Sequence, residues 1–249
     1  MSKAGLIRLV VLVAFFGAVE ALCRTGVISP KMVIAPSAMV EAMVTMLLSG
    51  AMNDDIRQTL SSVGIAMGLT VTGGFALGCV LYWLPPLRRT FDPLLAAYYS
   101  LPHFAFYPLL IVIFGLGALP LIVLATLFAM VAMIMATLTG LDRIPRVLIK
   151  TARMQRLSLL AEIRHIRLPA AAPHLFSGLK LAVTYSFIGV IAGEFILSTS
   201  GLGHQIAFAY DNFDNRTMYG LILFVLCIAI VFNLLVFAYE RRLARQRGL

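Results

Sequence analysis

The sequence predicts an all-α, polytopic membrane protein of about six transmembrane helices, and three observations carry that prediction. First, hydrophobic residues make up 61% of the 249 positions and charged residues only 12%, with a mean hydropathy of +0.95; such a chain is immersed in lipid. Second, apolar runs of roughly 17 to 25 residues recur, each long enough to carry a helix across about 30 Å of hydrocarbon. Third, basic residues gather in alternate connections between those runs, as expected of segments retained in the cytosol. Short alternating segments of the barrel type are absent. No hydrophilic stretch is long enough for a second core, so residues 1–249 are read as a single transmembrane domain.

The first run is Leu6 to Leu22. Lys3 and Arg8 give it the look of a secretory signal, but Glu20-Ala21-Leu22-Cys23 lacks the small residues of a cleavage or lipidation site, so a retained span is expected. The others are Val63 to Trp83, Leu94 to Leu116, Leu121 to Leu138, Leu175 to Leu197 and Leu221 to Phe237. With the N-terminus inside, the cytosolic segments collect Lys3, Arg8, Arg88, Arg89, Arg143, Arg146, Lys150, Arg153, Arg156, Arg164, Arg167, Arg241, Arg242, Arg245 and Arg247. The outer segments hold Arg24, Lys31, Arg57 and Arg216, accompanied by Glu41, Asp54, Asp55, Asp211 and Asp214. Both termini are therefore expected in the cytosol. The net charge of +9 is explained by this topology, because the basic residues border membrane spans; no nucleic-acid partner is expected. Cys23, Cys79 and Cys227 lie in apolar surroundings without metal spacing and read as small hydrophobes.

Between the first two runs, Ile34-Ala35-Pro36-Ser37 precedes a stretch with Met39, Met43 and Met46 on one side of a helix, and Ser37 is the expected N-cap. This is either a short helix at the outer interface or a plain connector. Gly64, Gly68, Gly74 and Gly78 in the second run, and Gly189 and Gly193 in the fifth, have the small-residue spacing that lets helices approach closely, here within one subunit. The third run is interrupted by Pro102 and Pro108. Each proline frees a carbonyl about one turn earlier, and such a group is tolerated only against protein or a wet cavity. His103 beside the break either bonds a freed carbonyl or touches a solute. Glu194, inside the fifth run, is either a gate or pathway acid or a buried hydrogen-bond acceptor.

The basic connection between the fourth and fifth runs, about residues 141–170, carries more information. Asp142 and Pro145 suggest a helix start. Arg146, Lys150 and Arg153 then share one face, while Ile144, Val147, Leu148, Thr151 and Met154 share the other. Ser158 is placed to cap a second helix that reaches Ile166 and ends at Pro169, before Pro173 opens the fifth span. Two short helices joined by a turn make a compact knob, and an apolar face on the first is more than a topogenic loop requires.

Thr151-Ala152, followed at the expected spacing by Ile166-Arg167-Leu168-Pro169, resembles the EAA loop of permease subunits in bacterial ATP-binding-cassette importers. Ile34-Ala35-Pro36-Ser37, the Pro102, Ala105, Pro108-Leu109 series, Phe114-Gly115-Leu116-Gly117, and Gly193-Glu194 leading to Ser200-Gly201-Leu202-Gly203 are similar to the sulfonate, taurine, nitrate and bicarbonate branch of the binding-protein-dependent permeases. The match runs from about Ile34 to Arg242.

The resemblance implies the type I importer permease fold in the bacterial inner membrane. It implies a pair of permease copies (a homodimer in most cases), two separate ATPase subunits on the cytoplasmic side and a solute-binding protein outside. ATP and Mg would reside on the ATPase, with no cofactor or metal on this chain, consistent with the lack of a Gly-x-x-x-x-Gly-Lys-Ser/Thr loop. The coupling contact would comprise Lys150, Thr151, Ala152, Arg153, Arg156, Leu157, Ile166, Leu168 and Pro169. Candidates for the translocation pathway are Ser100, Pro102, His103, Thr184, Ser186 and Glu194, for a small organic or inorganic anion. Two positions depart from the family pattern: Lys150 stands where Glu is usual and Arg156 where the turn glycine is usual. An arginine in a left-handed turn costs roughly 1 to 2 kcal/mol. A membrane hydrolase is disfavoured, since His103, His165, His174 and His204 form no serine-paired constellation. A stand-alone channel or secondary transporter is the remaining alternative; it calls for inverted repeats and several buried charges, and neither is evident.

Overall fold

A computed structural model describes residues 3–29, 32–98 and 100–246. Of the basic positions used for orientation, Lys31 and Arg247 lie outside the described residues, as do the side chains of Lys3, Arg242 and Arg245. Every regular element among the described residues is helical, and the protein is an all-α polytopic membrane chain.

Among the described residues five helices are long and apolar enough to cross a membrane, or six if one bent pair counts as a single span. The five are α1 (Lys3–Arg24), α3 (Asn53–Trp83), α6 (Ala118–Asp142), α9 (Leu168–Leu197) and α11 (Asn215–Gln246). The bent pair is α4 (Pro85–Tyr98) and the stretch His103–Phe114, in which a 3-10 turn at His103–Phe106 leads into α5 (Tyr107–Phe114); its two members are bent by 99°. The third span is thus interrupted where its prolines predict. Shorter elements fill the connections: α2 (Pro36–Ser49), α7 (Arg146–Met154), α8 (Leu159–Glu162) and α10 (Leu202–Asp211), with a π turn at Ile163–Arg167 joining α8 to α9.

Helix α6 is the hub, packed most extensively against α9 and α3. Val63 and Ala66 of α3, Ile122 and Ala125 of α6, and Phe187 and Val190 of α9 form one buried cluster, with Val225, Ile228 and Phe232 of α11 against its flank. Lipid supplies no hydrophobic drive between helices, so close approach of small residues sets this packing. A methyl on Gly74 would lie 2.7 Å from Met133 Cβ, and one on Gly78 would lie 2.6 Å from Thr137 Cβ. Gly189 and Gly193 meet Ala125 and Leu121 in the same way, while Gly64 and Gly68 have open space beside them.

Helix α2 packs on α11 and α10 on α9 and α11. Helix α1 buries none of its apolar window and contacts α2. That contact corrects the role expected of Ser37. The helix begins one residue earlier, at Pro36 with Ala35 as its N-cap. Ser37 instead gives its N–H and hydroxyl to Glu20 of α1, at 3.0 and 2.6 Å. Inside the first turn the Ser37 N–H is one of the donors without a partner in the helix, and the Glu20 carboxylate accepts from it and from the hydroxyl, so the serine ties two helices together rather than capping one.

Candidate functional site

The basic connection folds into a knob at the end of the bundle where α6 stops and α9 begins. Asp142 does not start α7, as its sequence position suggests. It closes α6 and takes a two-pronged bond from Arg88 of α4, at 2.9 and 2.7 Å. Pro145, with extended ψ of 129°, is the residue from which α7 departs. Ala152 is buried and Ile149 packs on the Leu141, Ile144 and Ala171 cluster, so this side of α7 rests on the bundle. Of the expected apolar face, Ile144 is buried just before the helix, while Val147, 70% exposed, and Met154, 85% exposed, face outward. Ile149 takes the inner position because Leu141 and Ile144 sit beneath it. Lys150, Thr151 and Arg153 are exposed on the same helix, and Leu160 of α8 is 76% exposed next to it in sequence.

Helix α7 ends in a six-residue Schellman turn. Leu157 N–H bonds the Ala152 carbonyl and Arg156 N–H that of Arg153, both at 3.1 Å. Such a turn puts its penultimate residue in the left-handed region, where glycine is preferred. Arg156 occupies it at φ +49°, the position that the sequence marks as a departure. Leu157, half-buried, comes next, and Ser158 then caps α8 by accepting from Ala161 N–H at 3.4 Å.

The second helix does not end at Pro169. It runs without interruption from α8 through the π turn into α9, and Pro169 and Pro173 both lie in α9. The physical reason is the wide turn. Leu168 N–H reaches back five residues to Ile163, and proline, which has no N–H to place, sits in the first turn of α9. Helix α8, the second half of the knob, thus forms one continuous rod with the fifth span, along which Ile166 is half-buried, Leu168 is 38% exposed and Pro169 is exposed.

At the opposite end of α9, a buried polar node fixes α10. Thr59 Oγ1 of α3 donates to Glu194 at 2.8 Å and accepts from Leu202 N–H at 2.9 Å. Gly203 N–H donates to Glu194 Oε2 at 3.0 Å, and Gly201 N–H to Asp55 Oδ1 at 2.7 Å. Gln205 of α10 also reaches Asp55. Three amides at the first turn of α10 are thus matched by α3 and α9 side chains, the arrangement a helix N-terminus favours for negative groups. Gly201 and Gly203 admit Glu194 this closely because any side-chain carbon there would collide with its carboxylate or Cβ. Glu194 is fully buried. Asp55, Thr59 and Gln205 do not stand out in the sequence. Their only signal is the four-residue spacing of Asp55 and Thr59 ahead of the second apolar run.

The other pathway candidates lie apart from that node. Ser186, fully buried, bonds Thr70 of α3 at 3.4 Å. Thr184 bonds the Lys180 carbonyl and lines a groove of about 210 Å³ between α9 and α11. Ser100 and Pro102 occupy the turn after α4, and His103 is packed between Tyr98 and Phe128, with ring centroids at 4.4 and 5.3 Å. His103 Nε2 is buried with no hydrogen-bond partner among the described residues.

Among similar proteins, a taurine transport system permease of Escherichia coli strain K12 is 25% identical over 226 residues, 89% of this chain and 82% of that protein. A putative aliphatic sulfonates transport permease of Bacillus subtilis strain 168 is 25% identical over 245 residues, covering 98% and 87%. A solved inward-facing structure of the MetNI methionine ABC transporter superposes with a TM-score of 0.64 at 21% identity, over 80% of this chain and 97% of that one, and shows a common fold. The family model of binding-protein-dependent transport system inner membrane components matches residues 64–247, from within α3 through α11. With α6 as its hub and α9 continuous with the knob, this chain belongs to that family: it is an inner-membrane permease component of an ABC importer.

Proposed function

We propose that the knob formed by α7, the Arg156 turn and α8 is the docking surface for a separate ATPase subunit, and that two copies of this chain form the translocation pathway. The observation that carries this reading is the outward face of α7. Val147 and Met154 are exposed beside Lys150 and Arg153, at the end of the bundle away from α10. A mixed apolar and cationic surface on a short rigid helix suits insertion into an acidic-rimmed protein groove. The knob and both termini face the cytosol, and the turn between α10 and α11 faces outward, in keeping with the distribution of basic residues. ATP and Mg belong to the partner. The substrate class is a small sulfonate or inorganic oxyanion, as in relatives named for taurine, aliphatic sulfonates and nitrate.

The test is ATP hydrolysis by the complex isolated from its native membrane through a tag on this chain, in the presence of its binding protein loaded with taurine, an alkanesulfonate, nitrate or bicarbonate. One of these stimulates hydrolysis several-fold; failure of all four removes the substrate class. In the same complex Lys150→Glu reverses the charge offered to the groove and lowers stimulated hydrolysis by about tenfold, equivalent to roughly 1.4 kcal/mol. Normal stimulation in that variant refutes the docking assignment of Lys150.

A further inference from the structure

The Glu162, Arg167 and Trp83 cluster lies between the knob and the spans. Arg167 Nε donates to Glu162 Oε1 at 2.7 Å, and its guanidinium sits 4.7 Å above the centre of the Trp83 ring. Both charged side chains are only 11% exposed, which sets this ion pair apart from the solvated ones on the rest of the surface. A pair withdrawn from water holds its geometry, because breaking it strands a charge. Arginine is suited to the place, since its planar fork binds a carboxylate edge-on while its face stacks on an aromatic ring.

The spacing adds a second observation. Glu162 and Arg167 are five residues apart, which in an α-helix separates them by about 140° around the axis. They meet here across the π turn at Ile163–Arg167, whose wider register brings such positions toward one another. The ion pair and the π turn therefore favour one another. Trp83 is the last residue of α3, and Arg167 the last before α9. At their far ends the same two helices are joined by the bond from Thr59 to Glu194. Helices α3 and α9 are thus pinned to each other at both ends, and the second pin also grips α10.

We infer that Arg167, held by Glu162 and stacked on Trp83, is a positioning residue that locks the π turn, so that a push on the knob moves α3 and α9 as one frame. This rests on the proposed docking of an ATPase at α7. It assigns the chain's single tryptophan and an arginine outside the expected coupling set to the transmission of the stroke.

Hydrogen–deuterium exchange on the tagged complex tests it, with and without Mg-ATP plus orthovanadate. Protection of residues 146–154 in the complex relative to the permease alone reports docking. A nucleotide-dependent change at residues 77–84 reports transmission to α3, expected to be at least about threefold in exchange rate for the native chain. In Arg167→Leu the docking protection persists and the α3 response disappears. The double variant Glu162→Arg with Arg167→Glu restores the ion pair without the ring stacking and recovers part of the response. Trp83→Leu, which leaves the ion pair intact, weakens it. A merely structural role predicts faster exchange with and without nucleotide alike, and that outcome overturns the inference, as does a native-sized α3 response in Arg167→Leu or Trp83→Leu. Absence of docking protection in the native complex overturns the ATPase assignment itself and this inference with it.

Discussion

Among the described residues two that carry side chains take a backbone conformation that costs them free energy, and both do so at the same kind of turn. Arg156 at φ +49° comes after α7 and Phe213 at φ +57° after α10. In each case the next residue bonds a carbonyl five positions back, Leu157 to Ala152 and Asp214 to Ala209. The left-handed region costs a side-chain-bearing residue roughly 1 to 2 kcal/mol relative to glycine, partly offset because glycine also loses more entropy on folding. Arg156→Gly is therefore expected to raise the thermal midpoint of the solubilised chain by an amount equivalent to about 1 kcal/mol. A lower midpoint would show that the arginine side chain holds the turn. Asp214 provides a test in pH. It caps α11 by accepting from Thr217 N–H at 3.1 Å, and the bonding to Thr217 holds its carboxyl below the ordinary carboxylate range. A carboxylate depressed in the folded state stabilises fully above its unfolded pKa, and the contribution fades as pH falls through the folded value. Asp214→Ala should cost about 1 kcal/mol near neutral pH. Its midpoint should converge on that of the native chain under acid conditions, and a gap independent of pH would rule out the charged cap.

At the scale of elements, the polar node around α10 shows what local sequence leaves out. Thr59→Val keeps the shape of the side chain but removes a donor to Glu194 and the acceptor for Leu202 N–H. Each buried group left without a partner costs roughly 1 to 3 kcal/mol. The expected result is a lower thermal midpoint together with faster amide exchange across residues 202–211, and unaltered exchange there would show that α10 is held by packing alone. The apolar runs announce the spans because lipid demands them residue by residue, and Ser158 announces its cap because the partner amide is three positions away. The start of α3 at Asn53, ten residues before the apolar run, is not legible in the same way. Asp55 and Thr59 look like loop residues until the amides of Gly201 and Leu202 arrive from the far side of the chain. The same holds for Asp142, whose partner Arg88 is 54 residues away. Pro169 misleads for a different reason: the rule that proline ends a helix assumes an α register, and the π turn ahead of it relaxes that assumption.

For the whole molecule, the question is which end of the bundle meets the cytosol. Helices α6 and α9 lie side by side and run in opposite directions, because the short knob between them returns the chain to its neighbour. At 1.5 Å per residue the 30 residues of α9 span about 45 Å, enough to place its two ends on opposite sides of a bilayer. Lys150 is exposed near the first end, and Phe213, 90% exposed, lies in the turn beyond the second. In a background where Cys23, Cys79 and Cys227 are replaced by serine or alanine, Lys150→Cys and Phe213→Cys each supply one reactive thiol. Cells treated with a membrane-impermeant maleimide should label Phe213→Cys directly and Lys150→Cys only after permeabilisation. Labelling of both from one side would break the antiparallel arrangement of α6 and α9, whereas the opposite pattern would keep the fold and invert its orientation. The second result would carry the greater functional cost, since an ATPase can reach the knob only from the side where ATP is made.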